Sequence, residues 1–161
     1  MAAVVALVGG CSSTVEGEAF PVDTIGMFDP CAVLSDGDLR TIGVDPGSQK
    51  VDLFDTHFPG FNVCTWQGAD YYLALTSTKH TLEDVKENPE YRDFRQGEVA
   101  GREVLNFLDR DLDEGVACMV AFATTESTAM ISIDVTYGDT PAEAPCVLVD
   151  RVAKIVVSLL P

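Results

Sequence analysis

In the middle of the chain, Phe61-Asn-Val-Cys-Thr-Trp66 is followed by Tyr71-Tyr-Leu-Ala-Leu-Thr-Ser77, and these two stretches decide the fold. Both are rich in aromatic and β-branched residues, and the first alternates between apolar and polar side chains, as a half-buried strand does. The link between them contains Gly68 and Asp70, which are residue types that favour turns. The two stretches therefore predict a β-hairpin.

Three later stretches predict the rest of a sheet. Residues 99–108, 115–123 and 129–137 are β-prone, and the segments between them, 109–114 and 124–128, have the composition of turns. Short connections of this kind join antiparallel neighbours. We therefore expect a mostly antiparallel sheet of about five strands.

Two short helices are predicted from their capping residues. Ser35 is followed three residues later by an aspartate, and Gly43 fits a C-terminal end, so residues 36–42 should be helical. The same pattern begins at Thr81, and that helix should end before Asn88, because the next residue is proline.

A third helix is predicted at the C-terminus, after Pro145. Apolar residues recur there at three- and four-residue steps, which places them on one face of a helix. We expect that face to cover the sheet, which gives an α+β fold with helices packed on one face. The residues in question are Cys146, Val149, Ala153, Val156 and Leu160.

The start of the chain predicts a lipid anchor. Residues 1–10 are uncharged and mostly apolar or small, and they lead into Val8-Gly9-Gly10-Cys11. An apolar run, small residues and a cysteine stand in this order where a lipoprotein signal peptide ends, and the segment resembles the bacterial lipobox. We therefore predict that Cys11 is lipidated and that its acyl chains hold the protein at the extracytoplasmic face of the cell membrane.

The signal peptide is truncated as it stands, because residues 1–10 lack the basic segment with which such peptides begin. We expect a start codon further upstream. The alternative is a buried N-terminal strand with a core cysteine at position 11. In the favoured interpretation, residues 11–22 form a flexible lipidated spacer and residues 23–161 form a single extracytoplasmic domain.

The composition restricts the partners. The formal net charge is −16, with 26 acidic residues against 10 lysines and arginines. Phosphate backbones repel such a surface, so no nucleic-acid partner is expected. The expected partners are the membrane, through the lipid anchor, and an envelope protein or small apolar ligand of unknown identity.

The cysteines indicate disulfide bonds. Once Cys11 is assigned to lipid, an even set of four remains, as in many exported domains. Three pairings are open, and we favour Cys31–Cys64 and Cys118–Cys146 because these partners are closest in sequence. No CxxC pair or neighbouring histidine suggests zinc, and the acidic run at 109–115 lacks the glycine and glutamate positions of a calcium loop. No metal and no cofactor are expected.

Several short motifs carry a family likeness, and with them the chain resembles an actinobacterial lipoprotein family, domain of unknown function 3558, over nearly its whole mature length. The resemblance implies a cell-envelope lipoprotein and supports the two local disulfide bonds, but it implies no activity. The motifs are Asp29-Pro30-Cys31-Ala-Val-Leu-Ser35, Val63-Cys64-Thr-Trp66, Gly115-Val-Ala-Cys118, and Pro145-Cys146 before a last helix that ends at Leu160-Pro161.

Aromatic residues provide the candidate interaction surface. Phe54, Phe58 and Phe61 lie in a segment predicted to be a loop, where three rings need cover from the core or from a partner. Trp66 is included in this candidate surface because aromatic side chains on a sheet face can line a ligand cleft. Packing against a disulfide bond is the favoured alternative for Trp66.

No catalytic residue is predicted. His57 and His80 are expected in solvated positions, and the chain has no G-x-S-x-G nucleophile elbow. The main hypothesis is therefore a non-enzymatic binding or accessory domain. The alternative hypothesis is a hydrolase that acts on envelope polymers through a pair of carboxylates.

Overall fold

The computed structural model describes residues 24–53 and 56–161, which form one seven-stranded antiparallel sheet and three α-helices. The strands are Lys50–Val51 (β1), Phe61–Gln67 (β2), Tyr71–Thr78 (β3), Tyr91–Val99 (β4), Arg102–Asp109 (β5), Ala117–Ala123 (β6) and Thr128–Val135 (β7). The helices are Asp36–Ile42 (α1), Leu82–Glu87 (α2) and Pro145–Leu159 (α3).

The sheet joins a hairpin to a meander, in the order β1-β2-β3-β7-β6-β5-β4. The predicted hairpin is confirmed as β2 and β3, and its turn is closed where the Gly68 amide donates to the Tyr71 carbonyl at 2.8 Å. Strands β4 to β7 follow one another as antiparallel neighbours. The last of them, β7, pairs with β3, and this pairing places Leu73 opposite Ile133.

The prediction of about five strands is corrected to seven, and the α+β class is confirmed. Strand β4 is mostly exposed and its register shifts between Arg92 and Arg95, so it lacks the alternation that marks a half-buried strand. The predicted strand 99–108 is interrupted by a tight turn at Ala100 and Gly101, which have φ values of 50° and 81°. The other strand that was not predicted, β1, has only two residues, which is too short to show a pattern.

One face of the sheet, the first face, is covered by α3 and α1. The apolar side of α3 packs on β6 and β7, and its Val149, Val152 and Val156 are fully buried. Leu39 and Ile42 from α1 join the same core. Burial of each such side chain contributes about 1.5–3 kcal/mol, so this layer holds most of the apolar stabilisation.

The opposite face, the second face, is covered in part by α2, so the prediction of helices on one face is wrong. Leu82 and Val85 of α2 pack with Leu105, Phe107 and other side chains of this face in a separate core cluster. Strands β5 to β7 carry apolar side chains on both faces, and a sheet buried on both sides needs two layers of cover.

The predicted helix ends are confirmed. In α1 the Asp38 amide donates to the Ser35 hydroxyl at 3.2 Å, and the Ser35 amide donates to the Asp38 carboxylate at 3.0 Å. Gly43 ends this helix with φ of 104°, a backbone conformation that suits glycine. The same reciprocal cap begins α2 at Thr81 and Asp84.

Two disulfide bonds connect the layers, and both match the predicted pairing. Cys31 lies in a 3-10 turn, Pro30–Ala32, and is bonded to Cys64 of β2. Cys118 of β6 is bonded to Cys146 in the first turn of α3. Each bond therefore fixes a covering element to a strand of the sheet.

Candidate functional site

The residues predicted to form one interaction surface are separated in the structure. Trp66 is 1% exposed in the core of the first face, so its assignment to the surface is corrected to a core position. Phe58 is 46% exposed, whereas Phe61 is partly buried on the second face. Phe54 and Cys11 lie outside the described residues.

The segment of chain that precedes Phe58 exposes further apolar side chains. Val51 of β1 is 64% exposed and Leu53 is 38% exposed. Edge strands present unpaired backbone groups, and apolar neighbours add area for contact. Among the predicted surface residues that the structure describes, Phe58 is thus the one that is exposed.

Phe61 instead contributes to a pocket between α2 and the second face, which we call the α2 pocket. Its volume is about 220 Å³ and its lining is mostly apolar. Residues from β2, β3, β7, α2 and the start of β4 meet there. They are Phe61, Thr78, His80, Asp84, Val85, Asn88, Tyr91 and Met130.

Aromatic rings form two walls of the α2 pocket. The Phe61 ring lies against the His80 ring, with 5.3 Å between the ring centroids. The Tyr91 ring packs on Phe107, with a centroid distance of 4.8 Å and an interplanar angle of 57°. Such tilted contacts are favourable for aromatic pairs, so both walls are held by neighbours as well as by the backbone.

The polar groups at the pocket are fixed by local hydrogen bonds. The Asp84 carboxylate accepts from the Thr81 amide at 2.7 Å and from the Thr81 hydroxyl at 2.8 Å. These bonds lower the pKa of Asp84, and His80 lowers it slightly further, so Asp84 is ionised at neutral pH. The Thr78 hydroxyl donates to the Gly60 carbonyl at 2.9 Å.

Asp134 of β7 lies on the second face of the sheet, as the α2 pocket does. It lies opposite Tyr72 on one side and Ala117 on the other, and it accepts a hydrogen bond from the Ser132 hydroxyl. Burial raises the pKa of Asp134 above its ordinary value of 3.8; the Ser132 hydrogen bond lowers it in part, and nearby Asp109 raises it. Asp109 is thus the carboxyl group whose charge acts on Asp134.

Replacing Asp134 with asparagine should stabilise the protein at neutral pH. The raised folded-state pKa means that the folded state holds this proton more tightly, so ionisation costs stability as the pH rises from 3.8 through that pKa. Below pH 3.8 the Asp134 carboxyl is protonated in both the folded and the unfolded state, so its ionisation no longer costs stability. We expect Asp134→Asn to raise the urea midpoint at pH 7 and to leave it unchanged near pH 3.

The control for this substitution is Asp139→Asn, because Asp139 is exposed. It should change the free energy of unfolding by no more than about 0.5 kcal/mol. An equal gain from Asp134→Asn at both pH values would show that the effect does not come from ionisation.

Sequence reasoning missed most of the α2 pocket. His80 is exposed, as predicted, but its position at a pocket was not predicted, and Tyr91 and Met130 had no assigned role. The capping pattern at Thr81 located the start of α2, but it did not indicate which sheet face the helix covers. The one available signal was the apolar character of both faces of residues 117–123.

The described part of the chain shows neither a metal-binding cluster nor a membrane-spanning helix. Residues 24–53 and 56–161 contain no group of three or more histidine, cysteine or acidic side chains placed to hold a metal ion. Within the same ranges, no helix is both long enough and apolar enough to span a bilayer.

Fold and site together define a small disulfide-bonded α+β domain with a ring-lined pocket on one face of its sheet. The chain belongs to the family described as protein of unknown function (DUF3558), whose profile matches residues 6–159. No curated protein and no solved structure matches the chain. Membership of domain of unknown function family 3558, which the short motifs indicated, is thereby confirmed, and the description of the family states no activity.

Proposed function

We propose that this protein is a lipid-anchored domain of the cell envelope that binds a small ligand in the α2 pocket without altering it chemically. The observation that carries the binding role is the construction of the pocket. Its two ring walls come from different strands and linkers, and each ring is held by a second ring beside it. A preformed apolar pocket with a few fixed polar groups is typical of small-molecule sites.

The cysteines support the extracytoplasmic location. Four of them are paired in two disulfide bonds, which persist in oxidising compartments and are rare in the cytosol. The fifth, Cys11, stands in a sequence that resembles a lipobox. One cysteine for lipid and four for disulfide bonds account for the whole set.

The α2 pocket favours binding over catalysis because its carboxylate is already engaged. The Oδ2 atom of Asp84 accepts two hydrogen bonds from Thr81 as part of the helix cap. A general base must be free to accept a proton from a substrate. Asp84 therefore supplies charge to the pocket while its capping bonds hold it in place.

A hydrolase that uses Asp109 and Asp134 is the second candidate. The observation in its favour is that Asp134 is partly buried near Asp109 and that burial raises the pKa of Asp134, as it does for the acid of a glycosidase pair. Release of reducing sugar from envelope glycans by the wild type, abolished in Asp134→Asn, would establish it. Unchanged glycans with both proteins would leave the pair with a structural role.

The tether is tested by replacing Cys11 with alanine in the protein expressed from its own gene. We expect the wild type to incorporate labelled palmitate and to sediment with membranes. Cys11→Ala should incorporate none and should shift almost completely to the soluble extracytoplasmic fraction, because no acyl chain remains to hold it.

The matched control for the tether is Ser13→Ala, which changes a neighbouring residue and keeps the thiol. It should remain labelled and membrane-bound. Tight membrane retention of unlabelled Cys11→Ala would contradict the lipid anchor and would point to a protein contact instead.

A further inference from the structure

We propose that the ligand of the α2 pocket is a compact organic cation, such as a quaternary or alkylated ammonium group. This inference rests on the proposed binding function and names the chemical class of its ligand. Three independent features of the pocket support it: the rings that line it, the charge around it and its size.

The rings provide faces that attract a cation. Phe61 begins β2 and Tyr91 begins β4, so two strands each bring one ring to the pocket, and His80 in the link before α2 lies against the Phe61 ring. The face of an aromatic ring carries negative potential and attracts ammonium groups within about 6 Å of the ring centroid. Met130, 8% exposed, adds a polarisable thioether to the same lining.

The charge around the pocket has the complementary sign. Asp84 lines the pocket, and the segment 79–91 contains four carboxylates against two lysines. The whole chain carries −16, so an anion approaching the pocket meets repulsion at long range as well as at contact. A cation is drawn towards Asp84, whose position is fixed by the cap of α2.

The dimensions of the pocket select a small ligand. Its volume of about 220 Å³ falls below the roughly 300–1,000 Å³ typical of pockets for drug-sized molecules. A trimethylammonium group and a short attached chain are compact enough for such a space. Larger ligands would have to leave their remaining part outside.

Two other ligand classes fit the observations less well. An anion would meet the Asp84 carboxylate in the pocket lining, the Asp84 amide already donates to the Thr81 hydroxyl, and α2 has only six residues. A neutral apolar molecule would contact the rings and Met130, but it would gain nothing from the carboxylate at the pocket. The cation is the class that uses all of these groups.

The test compares two probes of the same shape. Choline carries a charged nitrogen, whereas 3,3-dimethyl-1-butanol has a neutral carbon at that position. We expect titration of the full-length protein with choline to shift the amide resonances of residues around the α2 pocket. Choline should bind at least about tenfold more tightly than the neutral probe, because cation–π attraction and the Asp84 charge act on it alone.

Variants separate the contributions of charge and ring. Asp84→Asn keeps a side-chain oxygen for the cap but removes the charge, so it should weaken choline several-fold and leave the neutral probe unchanged. Asp38→Asn is the matched control, because Asp38 occupies the same position in the cap of α1 on the opposite face of the sheet. Phe61→Leu keeps apolar volume without a ring face and should also weaken choline selectively.

The outcomes distinguish this proposal from the binding function itself. Equal affinity for the two probes, or an Asp84→Asn protein with unchanged choline affinity, would overturn the cation and leave the pocket as a binding site for an apolar ligand. If cationic, neutral and anionic probes all left the pocket resonances in place, both the cation and the proposed binding function would be rejected.

Discussion

Removal of the Cys118–Cys146 bond, by changing both cysteines to alanine, should lower the free energy of unfolding by about 3–4 kcal/mol. The bond closes a loop with a sequence separation of 28 residues, and opening it lets the unfolded chain gain conformational entropy. A domain of this size has about 5–15 kcal/mol of stability in total, so the loss is a large fraction of it. Urea unfolding at matched pH measures the difference.

The second disulfide bond provides the comparison for this prediction. Cys31–Cys64 closes a loop with a separation of 33 residues, so its removal should cost nearly the same amount in the chain-entropy treatment. Cys64 and Cys118 are both 0% exposed, so their truncations also create similar cavities. A loss below about 1 kcal/mol for either pair would show that the bond adds little to contacts already made.

Much of the fold could be predicted because local chemistry agreed with the final structure. Ser35 and Thr81 each begin a helix through a reciprocal cap formed within four residues, so their signal needs no tertiary context. The hairpin of β2 and β3 is equally local, since its turn follows directly from Gly68. These are the features for which sequence and structure agree most closely.

The strands that sequence reasoning missed lack such a local signal. Most of β4 is exposed and its register is interrupted between Arg92 and Arg95, so its residues show no apolar alternation. It becomes a strand because β5 provides a partner along most of its length. The turn at Ala100 and Gly101 was missed for a related reason, since alanine seldom adopts positive φ.

The candidate site could not be predicted because it depends on which face of the sheet α2 covers. Phe61 was grouped with Phe54 and Phe58 as a ring that needs cover, but the register of β2 turns it towards the second face, opposite Thr78. Tyr91 and Met130 reach the same pocket from distant positions in sequence. Contacts of this range depend on strand order, which no local pattern in these segments specifies.

Phe107 connects the stability of the second face to the shape of the α2 pocket. It is 0% exposed at the centre of the second-face cluster, and the rings of Tyr91 and Phe94 lie 4.8 and 5.7 Å from it, centroid to centroid. Phe107→Ala should lower the free energy of unfolding by about 3–5 kcal/mol, because it removes a buried ring and leaves a cavity. Urea unfolding monitored by circular dichroism measures this loss.

Phe122 is the matched position on the first face, also 0% exposed, with the Arg102 guanidinium 5.4 Å from its ring centroid. Phe122→Ala should be destabilising by a similar amount, so stability measurements alone will not distinguish the roles of Phe107 and Phe122.

Ligand binding will distinguish them when each phenylalanine is replaced by leucine, a milder change that keeps the protein folded. Phe107→Leu should weaken choline several-fold, because the Tyr91 wall loses its support, whereas Phe122→Leu should leave the affinity unchanged. Equal effects of the two leucine variants would mean that general loosening of the fold, and not the position of Tyr91, controls the pocket.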